Sequence, residues 1–123
     1  MMAPQNVVRQ FLQSIPELAL TVRRAANLDE PYGAFGEIGR WLIDEIHAGN
    51  EDGVLVKRTL AFFDEMAQSA DREVLNILAA GAFESLSDDE AAVEVVRDRL
   101  TGRARGFLEK IVNGETWTDE DIR

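Results

Sequence analysis

Asp44 and His47 stand three residues apart, the spacing at which a helix turns a carboxylate and an imidazole toward one point. A di-metal site of that kind needs two such pairs and two further glutamates, and the sequence holds a single histidine. No metal is therefore expected. His47 should instead lie near a helix C-terminus, where an imidazole meets the carbonyl end of the dipole favourably. Gly33, Gly36 and Gly39 recur every third residue. A phosphate-cradling turn requires a preceding buried strand and G-x-G-x-x-G spacing, and neither is present, so these glycines should let a second helix approach closely. Neighbouring carboxylates abound, at Asp29–Glu30, Asp44–Glu45, Glu51–Asp52 and Asp64–Glu65. Acid–base work needs a cleft and perturbed titration as well, and an acidic helical surface produces adjacent acids by chance. No nucleophile elbow, phosphate loop, Cys/His zinc spacing or EF-hand loop occurs. No catalytic or cofactor-binding residue is assigned, no cofactor is expected, and the chain is expected not to be an enzyme.

One constellation points to recognition instead. Trp41 falls at the edge of an apolar helical stripe with Glu37, Asp44 and Glu45 within a turn. A tryptophan rimmed by acids suits a basic partner, because the ring supplies contact area and a cation-binding face while the carboxylates pair with Lys or Arg. The plainer account is that Trp41 covers the margin of the core.

The charge balance sharpens this. The chain has 23 acidic and 13 basic residues, a formal charge of -10 over 123 residues, and no cysteine. Such a field repels nucleic acid and anionic lipid and speeds encounter with a cationic partner. Neither nucleic acid nor membrane is expected as a partner, and the free chain is expected to be monomeric. The lack of cysteine fits a reducing compartment, no signal-peptide pattern is seen, and the longest uncharged apolar stretch, Ile77 to Phe83, falls far short of the ~20 residues that span a bilayer. A cytoplasmic protein is expected. The cations Arg97, Arg99, Arg103, Arg105 and Lys110 gather late in the chain, but Glu94, Asp98 and Glu109 interleave with them, so neutralising pairs are expected there.

The elements that must position these residues follow from apolar spacing, which is helical throughout. A single-domain all-α bundle of five or six helices is expected, with stacked helical hairpins as its variant. It should occupy residues 1–114, with an acidic tail at 115–123 in which Trp117 could dock. Helical regions are expected from Gln5 to Ser14, Pro16 to Ala26, Ala34 to His47, Gly53 to Gln68, Asp71 to Leu86 and Arg103 to Val112. Asn27 to Pro31 reads as a linker. Ser87 with Glu90 reads as a capping box that starts a helix running to Leu100. The segment Asp71–Leu86 has apolar residues around most of its circumference and should be central.

Phe11-Leu12 through Pro16-Glu17-Leu18, Tyr32-Gly33-Ala34-Phe35-Gly36-Glu37 leading to Trp41-Leu42, Phe62-Phe63-Asp64-Glu65 and Ala82-Phe83-Glu84-Ser85-Leu86 follow one another in order. With them the chain resembles, from Val8 to Ile111, a bacterial family of small all-helical domains of unknown function, some of whose members are suspected toxin-immunity proteins. The resemblance implies a helical fold and toxin neutralisation, and it brings no catalytic residues. The expected function is thus that of a non-catalytic immunity or inhibitor protein whose acidic face occludes a basic toxin encoded nearby, most naturally a nuclease. A helical scaffold or adaptor that binds a partner helix is the alternative.

Overall fold

Every regular element among the described residues, 2–24 and 30–115 of the computed structural model, is helical. Prolines set several of the starts. A 3-10 turn at Pro4–Asn6 leads into α1 (Val7–Ser14), and a second at Pro16–Leu18 leads into the one-turn α2 (Ala19–Val22). Pro31 opens α3 (Pro31–His47), where its missing N–H costs nothing. The rest are α4 (Val54–Ala67), α5 (residues 72–86), α6 (Glu90–Arg99) and α7 (Gly102–Val112). The linker expected up to Pro31 thus ends one residue early, because Glu30 caps α3 and Pro31 is its first helical residue. Trp117 and the expected tail from Thr116 onward lie outside the described residues. No helix among the described residues is long and apolar enough to cross a membrane.

The central element is α5, as its all-round apolar pattern predicts. Val74, Leu75, Ile77, Leu78, Ala79, Gly81, Ala82, Phe83 and Leu86 are all buried. Around it a chain of edge-on and tilted rings ties four helices together: Phe62 to Phe11 at 5.2 Å, Phe11 to Phe35 at 5.6 Å, Phe35 to Phe63 at 6.3 Å and Phe63 to Phe83 at 5.8 Å. Offset and edge-on ring pairs of this kind add specificity beyond the area they bury.

Between its flanking α-helical turns Arg72–Asn76 and Glu84–Leu86, α5 widens into a π-helical segment, Ile77–Phe83. Each hydrogen-bonded loop there holds one residue more than in an α-helix. The run Ala79-Ala80-Gly81-Ala82 carries nothing beyond Cβ, so the wider turn crowds no side chain. The Ser85 hydroxyl donates to the Gly81 carbonyl at 3.0 Å and keeps that acceptor satisfied.

Of the glycines expected to admit a neighbouring helix, Gly39 does so at this segment, whereas a Cβ on Gly36 would meet nothing closer than 3.5 Å. A Cβ on Gly39 would stand 2.8 Å from both the Ala82 carbonyl oxygen and Ser85 Cβ, and one on Gly81 would stand 2.9 Å from Phe35 Cβ. The backbones of α3 and α5 are therefore in near-direct contact, and α3 is held rigidly along the core with its opposite face outward.

Candidate functional site

α3 carries all four residues expected to meet a partner. Glu30 fixes its start: the two carboxylate oxygens accept from Tyr32 N at 3.0 Å and Gly33 N at 2.6 Å. With Phe35, Ile38, Leu42 and Ile46 buried against the core, the helical period turns Glu37, Trp41 and Asp44 toward the outer side and leaves Glu45 at its edge.

These four are not equally available. Arg40 donates to Glu37 at 2.5 Å, and Asn50 donates to Glu45 at 2.8 Å, so two of the three acids already have local partners. Trp41 is half-buried and packs against the core, as the plainer account holds. Asp44 stands exposed.

The Asp44–His47 pairing does not form the unit that the spacing suggests. His47 ends α3, and its Nε2 lies 2.7 Å from Asp89 Oδ2. Asp89 is also the N-cap of α6, accepting from Ala92 N at 2.9 Å. One carboxylate therefore closes α6 and ties it to the end of α3. The hydrogen bond with His47, followed by that from Ala92 N, holds the Asp89 carboxyl below the usual carboxylate range. The expected capping box is displaced accordingly. Ser87 Oγ donates back to the Glu84 carbonyl at 2.8 Å instead of capping, and Asp89 takes the role two residues later. No group of three or more His, Asp or Glu side chains that could hold a metal ion lies together among the described residues.

The contact between His47 and Asp89 joins the end of α3 to the start of α6, where a second set of acids begins. Asp88 and Glu90 flank Asp89 and are exposed, and Glu90, Glu94 and Asp98 form an exposed stripe along α6 at four-residue spacing. The i, i+4, i+8 spacing was visible in the sequence, but its nearness to α3 depends on a contact between residues 42 apart. Asp52 meets the opposite end of α6: Arg99 donates to it at 2.8 Å and holds its carboxyl below the usual range.

One of the neutralising pairs expected among the late-chain cations and the acids interleaved with them is seen, and two other cations find partners elsewhere. Arg97 pairs with Glu109 across α6 and α7, Arg99 reaches Asp52, and Arg105 donates to the Leu100 carbonyl at 2.8 Å. At the start of α3 the Tyr32 hydroxyl donates to Glu73 at 2.6 Å. Burial, with the hydrogen bond and negative charge of Glu73, pushes that phenol up to about 12. A groove of about 670 Å³ separately runs along α1, lined by Pro4, Val8, Leu12 and Pro31 with Gln5, Arg9 and Gln13.

No curated protein and no solved structure matches the chain. Residues 8–111 match the family described as "Domain of unknown function (DUF7674)", the same span over which the phenylalanine chain and the α3–α5 contact are built, and the chain belongs to that family.

Proposed function

We propose that this protein is a non-catalytic binding protein that neutralises a basic toxin, in the first instance a nuclease, by occluding its active or nucleic-acid-binding surface. The observation that carries the reading is the placement of acid on a chain of net charge -10: Asp44, Asp88, Glu90, Glu94 and Asp98 stand exposed along α3 and α6, which Asp89 and His47 tie together. A nuclease presents a basic surface to phosphate, so carboxylates held on rigid helices compete for the same surface, and complementary charge raises the association rate. Trp41 would supply apolar contact at the border, with Glu37 and Glu45 exchanging Arg40 and Asn50 for cations of the partner.

The test is co-purification with the product of the neighbouring gene, followed by association kinetics at two salt concentrations. Reversing Asp44, Glu37 and Glu45 to Lys should slow association by about tenfold or more and flatten its salt dependence, while Trp41→Ala should mainly speed dissociation. A neighbour that does not bind, or binds with an affinity indifferent to salt and to these changes, refutes the reading.

The groove along α1 favours a second reading, a scaffold or adaptor that seats a partner helix on Val8 and Leu12. Its binding would resist salt, which separates the two.

A further inference from the structure

Two large hydrophobic side chains are exposed among the described residues, Leu20 at 74% and Val54 at 63%. Each is followed at i+3 and i+4 by two cations, Arg23 and Arg24 after Leu20, Lys57 and Arg58 after Val54. Lys57 and Arg58 share the helical face of Val54 at the start of α4, and Arg23 and Arg24 lie in the turn that closes α2 just after Leu20, so each segment carries one exposed apolar side chain with two positive charges close in the chain. Glu17 stands one turn before Leu20 and meets Arg58 at 3.4 Å, which brings the two faces together.

Several other arginines are engaged within the protein: Arg40 by Glu37, Arg97 by Glu109 and Arg99 by Asp52. The side chains of Arg23 and Arg24 are exposed and make no hydrogen bond or ion pair among the described residues. The patch therefore gathers four positive charges and two apolar side chains on a molecule whose net charge is -10, with Glu17 paired to Arg58 and Asp52 within the field of Lys57.

We propose that the Leu20–Val54 face is a docking surface for an acidic amphipathic segment of another protein, whose apolar side chains cover Leu20 and Val54 while its carboxylates pair with Arg23, Arg24, Lys57 and Arg58. Charge complementarity selects this occupant, and three of the four cations are arginines, whose planar donors match a carboxylate in two-point fashion. A narrow segment touches the patch alone. An anionic bilayer laid on the same face extends past it onto the carboxylates of the surrounding surface, and a second copy of the chain brings its own net negative charge. This surface is opposite in sign to the acidic one proposed above, and the two stand or fall separately.

The probe is a fluorescently labelled helical peptide with leucines at i and i+4 and glutamates elsewhere, titrated with the full chain and followed by anisotropy at low and high salt. Saturable binding that weakens with salt is expected. Arg24→Glu with Lys57→Glu, and separately Leu20→Ser with Val54→Ser, should each weaken it by about tenfold. The altered side chains are exposed, so thermal unfolding followed by circular dichroism should match the parent. The same peptide with lysines in place of the glutamates should not respond to these changes, which keeps this surface distinct from the acidic one. Absence of binding, binding indifferent to both double substitutions, capture by phosphatidylglycerol vesicles in place of the peptide, or self-association of the chain through these residues would overturn the proposal.

Discussion

Gly39 and Gly36 lie three residues apart on α3, and alanine should have opposite effects at the two. At Gly39 an added Cβ meets the Ala82 carbonyl oxygen and Ser85 Cβ at 2.8 Å, where ordinary contact begins at 3.4 Å, so one of the helices must move by 3.4 − 2.8 = 0.6 Å. The obstacle is largely backbone of a packed helix, which rotamer changes cannot relieve. Overpacking of this kind costs roughly 1–3 kcal/mol, against a helix-propensity gain of about 1 kcal/mol on replacing glycine with alanine. At Gly36 the nearest atom is the Ser85 hydroxyl at 3.5 Å, an ordinary contact, and at Gly106 in α7 nothing lies within 4 Å. Both of those alanines should therefore be stabilising, by about 0.5–1 kcal/mol. Urea unfolding of the three variants reads the differences directly, because a slope of about 1–3 kcal/mol per molar turns a gap near 2 kcal/mol into a midpoint difference on the order of 1 M. Gly39→Ala should fall below the parent, and Gly36→Ala and Gly106→Ala at or above it. A Gly39→Ala midpoint equal to that of Gly106→Ala would refute the close α3–α5 contact and the rigid seating of α3 that follows from it.

Leu78 is fully buried in α5, and Leu78→Ala should cost about 2–5 kcal/mol by the same unfolding measurement; a loss under about 0.5 kcal/mol would remove α5 from the centre of the core. Asp89→Ala deletes both the α6 cap and the partner of His47 and should cost about 0.5–2 kcal/mol, whereas Asp89→Asn keeps a good cap. Because the native Asp89 carboxyl is lowered, its contribution is present above the unfolded carboxyl range and is lost as pH falls through the native value, so Asp89→Asn should flatten the acid limb of stability against pH. Tyr32 is the sole tyrosine, so tyrosinate absorbance reports it alone: it should titrate at about 12, and Glu73→Ala should bring it back toward 10.0. The sign is the reverse of that at Asp89, with stability from the raised phenol present below pH 10.0 and lost as pH rises toward 12.

What could be read in the sequence was whatever depends on period and on small residues. The helical stripes of α3 and α4, the all-round burial of α5 and the role of Gly39 follow from which side chains recur and which are missing, since these decide what can be covered and what can be approached. The π-helical widening at Ile77–Phe83 does not, because an alanine-rich run satisfies an α-helix equally well and only the packing against Phe35 and Gly39 distinguishes them. The cap was misplaced for a related reason. Ser87 and Asp89 are both good caps by residue type, and the choice falls to Asp89, which His47 holds from 42 residues away.

The same division governs the acidic surface. The pairing of Glu37 with Arg40 was implicit in their spacing of three, and that of Glu45 with Asn50 in the turn that closes α3, so local sequence already said that these two acids are partly spoken for. Asp44 gains its standing from outside its helix. The His47–Asp89 contact joins the end of its helix to the start of α6, where Asp88 and Glu90 stand exposed, so two modest runs of acid, each ordinary alone, begin from one contact. Since charges within about one Debye length of each other add their fields at a partner, steering depends on this juxtaposition more than on the total of -10. Untying α6 from α3 should therefore weaken capture of a cationic partner even with every carboxylate retained. His47→Ala removes this contact with every carboxylate retained, while Ala92 and Val96 of α6 stay packed in the core with Leu42 and Ile46, and slower association of a cationic partner at low salt is the expected readout.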